Sequence, residues 1–198
     1  MRRLLIATTN KGKLAEIRSI LLGVPFELVT LDAWPDVPPP EETGATFDEN
    51  ARGKALYYAA ATTQLTVAED SGLEIDALGG APGVRSARYG GDAATYPEKF
   101  ARIYEALRAN GSPTSTARFV CALALAQPAR IVFETRGTVE GRIAPEPRGE
   151  GGFGYDPIFF YPPFGRTLAE MGRRKTEVSH RGQAFRALRS YLETAVRF

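Results

Sequence analysis

Residues 4–13 of the chain read LLIATTNKGK, and they predict a buried β-strand that runs directly into a helix. The first four residues form a short apolar run of the kind found in strands buried inside a sheet. Apolar residues then recur at a helical period, at Leu14, Ile17 and Leu21. This strand–turn–helix unit is typical of α/β proteins.

The turn between this strand and helix consists of Thr8, Thr9, Asn10, Lys11, Gly12 and Lys13. A helix start offers backbone N–H groups and a favourable dipole to an anion. The hydroxyl, amide and ammonium groups of the turn add donors that suit phosphate oxygens. A polar cap with solvated lysines would have the same composition, and the glycine spacing is not that of a P-loop.

Strands and helices continue to alternate along the chain. Capping boxes at Thr46–Glu49 and Thr95–Glu98 predict two helix starts, the first opening a helix to about Thr62. Short strands are predicted at 26–31 and 65–68, and two long antiparallel strands at 117–126 and 130–143. The last helix is predicted to begin after Ser179 and to carry Phe185, Leu188, Leu192 and Val196. The pattern predicts an α/β protein with a mixed sheet.

Length and composition exclude several classes of protein. The 198 residues suit a single domain, 1–198, or two interlocked lobes, and a net charge of +2 is too mild for a nucleic-acid coat or a membrane-surface protein. The single cysteine, Cys121, excludes a disulfide scaffold. No apolar run reaches the roughly 20 residues of a membrane span, and the apolar run near the amino terminus is too short for the hydrophobic core of a signal peptide. We therefore expect a cytoplasmic protein without a nucleic-acid or membrane partner.

Two acidic pairs are candidates for metal binding. Glu41 and Glu42 follow a proline-rich connection, and Glu69 and Asp70 are expected to leave the carboxyl end of the strand at 65–68. Open α/β sheets place their ligands at that end of their strands. Carboxylates brought together there suit Mg²⁺, and one of them could accept a proton from water. The alternative is a solvated turn and a helix-capping aspartate.

The second half of the chain contributes two further motifs. Gly151–Pro157 interleaves glycines with aromatic residues, which would let backbone approach a flat base and let a ring stack on it. Lys175–Gly182 contains His180, which is the only histidine, next to Arg181. These donors suit the carbonyl oxygens of a base or phosphate, although a tight loop and a structural histidine would look the same. Together with the first turn and the carboxylates, they supply the parts of a nucleoside triphosphate site.

With these motifs the sequence resembles the inosine triphosphate pyrophosphatases, also called dITP/XTP or non-standard purine NTP pyrophosphatases. The motifs that carry the resemblance are ATTNKGK at 7–13, EETG at 41–44, EDSGL at 69–73, GGAPG at 79–83, GGFGYDPIFF at 151–160 and SHRG at 179–182. One position departs from the commonest family pattern, because Glu69 stands where many members have aspartate. This change alters the reach of the side chain and leaves its charge unaltered.

The resemblance implies hydrolysis of deaminated purine nucleoside triphosphates (ITP, dITP and XTP) to the monophosphate and pyrophosphate. It assigns Mg²⁺ to Glu41 and Asp70, with Asp70 as the base for water. It assigns the triphosphate to residues 8–13 with support from Lys54, and a substrate contact to Ser71. The nucleoside pocket would be lined by Phe153, which stacks on the base, and by Gly154, Tyr155 and Asp156. The base edge would be read by Lys175, His180 and Arg181.

The resemblance also implies a homodimer in which a long mixed sheet is flanked by helices and two lobes, with the active site in the cleft between them. Two alternative functions remain open at this stage. One is a related nucleotide pyrophosphatase with a different base preference, such as one for modified pyrimidine triphosphates. The other is a nucleotide- or RNA-binding module without hydrolysis, which the clustered carboxylates disfavour because they would repel a phosphate backbone.

Overall fold

The computed structural model describes residues 2–195 and contains seven strands and five α-helices within them. In chain order they are β1 (Arg3–Ile6), α1 (Lys11–Ile20), β2 (Glu27–Thr30), α2 (Phe47–Thr62), β3 (Leu65–Ile75), α3 (Tyr96–Ala109), β4 (Thr116–Gln127), β5 (Arg130–Ile143), β6 (Phe159–Tyr161), β7 (Arg166–Thr167), α4 (Lys175–Val178) and α5 (His180–Ala195). The predicted last helix is confirmed as α5. Val196 lies outside the described residues.

The strands form one mixed sheet in the order β2-β1-β3-β4-β5-β6-β7. β1 pairs in parallel with β2 and β3, whereas β6 pairs antiparallel with β5 and β7. β4 and β5 are neighbours joined by only Pro128 and Ala129, and so short a connection requires an antiparallel hairpin. The predicted α/β fold with a long mixed sheet is therefore confirmed.

The chain divides into two compact units. Unit 1 comprises residues 1–70, 121–137 and 180–198, and unit 2 comprises residues 71–120 and 138–179. The division falls within β3, β4 and β5, so these three strands contribute residues to both units.

Each unit has its own hydrophobic core. In unit 1, β1 is buried on both faces, and Leu4 and Ile6 pack in a cluster with Ile17 of α1 and with Phe185 and Leu188 of α5. This is the apolar run and helical period from which the fold was predicted. In unit 2, α3 is amphipathic, and its Phe100, Ile103 and Leu107 join a second cluster with Phe119 and Phe159. Within residues 2–195, no helix combines the length and the apolar character needed to cross a bilayer.

Both predicted capping boxes are confirmed. Thr46 accepts a hydrogen bond from the backbone N–H of Glu49, and the Glu49 carboxylate accepts one from the backbone N–H of Thr46. The same reciprocal pair joins Thr95 and Glu98 at the start of α3. The first box matters for the site, because it fixes where α2 begins and so where its polar residues lie.

The boundary of β3 corrects one expectation. Glu69 and Asp70 were expected to follow a strand ending at Ala68, but β3 continues to Ile75 and both carboxylates lie within it, buried. A strand interior tolerates these charges because cationic side chains from neighbouring helices neutralise them, as described below. Their position in the sheet is therefore fixed by ladder hydrogen bonds rather than by a loop.

Candidate active site

The centre of the candidate site in unit 1 is the carboxylate of Asp70. Its Oδ2 accepts a hydrogen bond from Nδ2 of Asn50 at 3.0 Å, and its Oδ1 lies 3.3 Å from the ammonium of Lys54. Asn50 and Lys54 are four residues apart on α2, so they lie on the same face of that helix. Burial raises the pKa of Asp70 above its ordinary value, although Lys54 and Asn50 favour the charged form.

Lys54 connects Asp70 to a second carboxylate. Its ammonium lies 2.7 Å from Oε1 of Glu42. Burial lowers the pKa of Lys54, but the attraction of Asp70, Glu42 and Glu69 outweighs this effect, so the net pKa is above the ordinary value. The lysine therefore remains charged beside Asp70. Glu42 rather than its exposed neighbour Glu41 makes the contact with Lys54.

A second ionic cluster surrounds Glu69. Its Oε1 lies 3.0 Å from Nζ of Lys13 in α1 and 3.2 Å from Nε of Arg181 in α5. Burial alone would raise the pKa of Glu69, but Arg181, Lys13 and Lys54 together hold it well below its ordinary value. The Arg181 guanidinium is enclosed, and its Nη1 lies 2.8 Å from Oε2 of Glu16. Arg181, predicted at the base edge, is thus held by two carboxylates of unit 1.

The polar turn before α1 has the geometry expected of an anion-binding helix start. Asn10 is the N-cap, and its side chain accepts a hydrogen bond from the backbone N–H of Lys13 at 3.0 Å. Thr8 Oγ1 accepts one from the backbone N–H of Asn10 at 3.2 Å. The first N–H groups of a helix have no intrahelical acceptor, so those of Lys11 and Gly12 are available to a ligand. The Thr9, Asn10 and Lys11 side chains are exposed.

The aromatic loop belongs to unit 2, and Asp156 organises it. Its Oδ2 accepts hydrogen bonds from the backbone N–H of Phe153 at 2.8 Å and from Nζ of Lys175 at 2.6 Å. The same ammonium lies 4.5 Å from the centre of the Phe153 ring. Gly152 has a φ of +71°, and a Cβ there would lie 2.1 Å from Oδ2 of Asp156. A side chain at 152 would therefore displace the carboxylate that fixes the loop.

The other predicted residues of this region differ in exposure. Tyr155 is buried, donates a hydrogen bond to the backbone oxygen of Ser86 at 2.8 Å, and packs edge-on against Tyr96. It is therefore positioned to support the loop, whereas Phe153 and Gly154 are partly exposed. His180 is buried at the first residue of α5, and Ser71 is half-buried in β3.

The structure groups the predicted residues into two sets. In unit 1 it brings Lys13, Lys54, Asp70 and Arg181 into two neighbouring ionic clusters, and in unit 2 it brings Phe153, Asp156 and Lys175 together. Sequence reasoning missed the contact of Asn50 with Asp70 and that of Glu42 with Lys54, and the assignment of Mg²⁺ to Glu41 stays a prediction. The spacing of Asn50 and Lys54 on one helical face was the signal that could have identified the first.

The donor set fits a magnesium ion that is bound together with a substrate. Within residues 2–195, no group of three or more His, Cys, Asp or Glu side chains is arranged to hold a metal ion. Mg²⁺ does not need such a cage, because it usually takes one or two carboxylates and fills its other positions with water and phosphate oxygens. Asp70, in contact with a charged lysine and with Asn50, is suited to this mode of binding.

A mixed α/β sheet that carries a buried carboxylate, charged lysines and a polar helix start is suited to an enzyme that acts on phosphates. The chain belongs to the Ham1 family, whose model matches residues 4–191. It is 50% identical to the dITP/XTP pyrophosphatase of Exiguobacterium sp. over 94% of each chain, and 46% identical to that of Geobacter sulfurreducens over 97% of each.

Solved structures give the same result. The fold is similar to a HAM1 protein from Coxiella burnetii, with a TM-score of 0.90 and 42% identity over 97% of this chain and 98% of that one. It is also similar to the Staphylococcus aureus Ham1 protein, with a TM-score of 0.87 and 34% identity over 98% and 100% of the two chains. Both the sheet and its helices are therefore those of the family.

Proposed function

We propose that this protein is a Mg²⁺-dependent pyrophosphatase that hydrolyses dITP, XTP and ITP to the nucleoside monophosphate and pyrophosphate. The observation that carries the proposal is the contact of Asp70 with Lys54 and Asn50, in a chain half identical to a dITP/XTP pyrophosphatase over nearly its whole length. Removal of deaminated purines from the nucleotide pool would be its role in the cell, which we place in the cytoplasm.

The proposed reaction begins with water held at Asp70. The carboxylate accepts a proton as the water oxygen attacks the α-phosphorus, and the bond from that phosphorus to the oxygen bridging to the β-phosphorus breaks. Pyrophosphate leaves with the electron pair of the broken bond. The oxygens around the α-phosphorus carry negative charge that would repel the attacking water. Lys13, Lys54 and the first N–H groups of α1 would neutralise this charge. Mg²⁺, which Glu41 and Asp70 would hold, would add further charge neutralisation when bound.

Recognition of the base is assigned, from the family resemblance, to the aromatic loop and to Lys175, His180 and Arg181. Phe153 would stack on the purine, with Gly154, Tyr155 and Asp156 shaping the loop around it. A 6-oxo purine presents an acceptor where adenine presents an amino donor, so donors from Lys175, His180 and Arg181 would favour hypoxanthine and xanthine. A site whose buried polar groups go unpaired with the wrong base can discriminate by about 10⁴ or more.

The experiment that tests this function is a comparison of pyrophosphate release from ITP, XTP, dITP, ATP, GTP and pyrimidine triphosphates with Mg²⁺ present. We expect kcat/KM to be highest for the deaminated purines. Comparable or faster turnover of a pyrimidine would replace the proposal with the alternative base preference. Tight RNA binding without metal-dependent hydrolysis would replace it with the binding module.

We also propose that the protein acts as a homodimer, on the strength of the family resemblance. Light scattering coupled to size-exclusion chromatography measures the mass directly. The 21.5 kDa chain should elute with twice that mass, whereas a mass of one chain would reject the dimer.

A further inference from the structure

Glu69 is a buried carboxylate that the proposed reaction does not use. Its side chain is 2% exposed, and donors approach both of its oxygens. Oε1 lies 3.0 Å from Nζ of Lys13 and 3.2 Å from both Nε and Nη2 of Arg181. Oε2 lies 3.5 Å from the thiol sulfur of Cys121 in β4. Glu69 is therefore held chiefly by cationic side chains of α1 and α5, and one of these is Lys13.

Lys13 differs from its partners in the cluster because its side chain is partly exposed. Its side chain is 19% exposed, whereas those of Glu69 and Arg181 are each 2% exposed. An ammonium group has three N–H donors. One donor directed at Glu69 fixes the position of Nζ, and the others remain for an incoming phosphate oxygen. Lys13 also lies in the first turn of α1, where the helix start favours an anion.

Arg181 contacts Glu69 from α5 and is itself held by a second carboxylate. Its Nη1 lies 2.8 Å from Oε2 of Glu16, and Glu16 belongs to α1, as does Lys13. The guanidinium of α5 is thereby tied both to α1 and, through Glu69, to β3. Glu69 consequently accepts Lys13 with its own position already set by a rigid, planar partner.

We propose that Glu69 is a positioning residue for the triphosphate, because it holds the Lys13 ammonium where the phosphate chain binds. A lysine that is already fixed loses less conformational freedom when the ligand arrives, and so binds it more tightly. The proposal rests on the function proposed above and assigns Glu69 a role in phosphate affinity, separate from that of Asp70 in the chemical step.

The test uses pyrophosphate, which carries the phosphates without the base. Its dissociation constant in the presence of Mg²⁺ is measured by calorimetry, beside kcat and KM for ITP. We expect Glu69→Gln to weaken pyrophosphate binding and to raise KM by about tenfold or more, as loss of a charge-assisted contact does. We expect kcat to change by less than about threefold, and the Mg²⁺ concentration for half-maximal rate to stay the same.

A double-mutant cycle with Lys13 makes the test specific. If Glu69 acts through Lys13, then Glu69→Gln should weaken pyrophosphate binding by less than about threefold when Lys13→Ala is already present. Full additivity of the two changes would overturn the proposal. So would an unchanged pyrophosphate affinity in Glu69→Gln, or a fall in kcat with a shifted Mg²⁺ requirement, which would make Glu69 a catalytic or metal-binding group.

Two further variants separate affinity from folding. Glu69→Asp keeps the charge and shortens the reach toward Lys13, so it should bind pyrophosphate more weakly than the wild type does. This variant serves as the test if Glu69→Gln does not fold. Wild-type affinity in a folded Glu69→Asp would overturn the proposal. Glu134→Gln is the matched control, because Glu134 pairs with Arg52 on the surface, and its pyrophosphate affinity should equal that of the wild type. Wild-type enzyme inactive on ITP would reject the proposed function and leave the pyrophosphate cycle able to test Glu69 alone.

Discussion

The side chain of Asp70 is held in a way that suits a general base. Burial raises its pKa, while Lys54 and Asn50 each contact one of its oxygens and keep it oriented. A carboxylate with a raised pKa accepts a proton more readily than an ordinary aspartate does. Its partners belong to α2, so the orientation depends on a helix rather than on a loop.

Replacing Asp70 with asparagine removes the base and keeps the shape. We expect Asp70→Asn to lower kcat for ITP at least about 100-fold, because general base catalysis contributes that much. Thermal unfolding should remain cooperative. Asp36→Asn, in the exposed proline-rich connection, is the matched control and should retain full activity. A kcat for Asp70→Asn close to that of the wild type would remove Asp70 from the mechanism.

Phe153 is predicted to contribute stacking energy and no chemistry. Stacking of a base on an aromatic ring is worth about 1–3 kcal/mol, so Phe153→Ala should raise KM for ITP by roughly 5- to 150-fold. Its pyrophosphate affinity should not change, since pyrophosphate has no base. Phe164→Ala, in which an exposed ring of the same unit is removed, should leave KM unchanged. If KM of Phe153→Ala equals that of the wild type, the base does not stack there.

At the scale of elements, the sequence predicts best where one physical signal dominates. The strand–turn–helix at the amino terminus and both capping boxes follow from local patterns, and the structure confirms them. The end of β3 could not be predicted in this way, because two adjacent carboxylates resemble a surface turn. Their burial depends on Lys13, Lys54 and Arg181, which are far away in the chain, so only the tertiary structure determines it.

The packing of α5 against β5 depends on Gly137. A Cβ at Gly137 would lie 2.1 Å from the backbone oxygen of His180, so α5 would have to move. We expect Gly137→Ala to lower the free energy of unfolding by about 2–3 kcal/mol, as other overpacked sites do, and to weaken ITP binding because His180 and Arg181 shift with the helix. Urea unfolding and KM measure the two effects.

The control for this prediction is a glycine with space around it. Gly53 lies inside α2 with nothing within 4 Å of an added Cβ, and it is exposed. Gly53→Ala should therefore raise the free energy of unfolding by about 0.5–1 kcal/mol, because alanine favours the helix. Equal effects of the two substitutions would show that close approach does not fix the position of α5.

Across the whole molecule, lysine is a rare residue, and most of the lysine side chains are at least partly buried. The chain has five lysines among 25 basic residues. Lys13, Lys54 and Lys175 each pair with a buried carboxylate, and Lys99 is buried with its ammonium 2.5 Å from the backbone oxygen of Ala87. Arginine takes most of the surface positions instead, with the buried Arg181 as an exception. Lysine provides a compact charge that suits enclosed carboxylates and phosphate oxygens, so it is the cation found beside these carboxylates.

These internal ion pairs also predict how the protein responds to loss of its metal. Asp70 and Glu42 are already compensated by Lys54, and each unit has a complete apolar core, so the fold does not depend on Mg²⁺ as a zinc finger depends on zinc. Excess EDTA should abolish hydrolysis of ITP and change the melting temperature by less than about 2–4 °C, which corresponds to 1 kcal/mol for a protein of this size. Added Mg²⁺ should restore the rate in full. A much larger fall in melting temperature would mean that the metal is structural, and hydrolysis that persists in EDTA would mean that the lysines and the helix start neutralise the phosphates unaided.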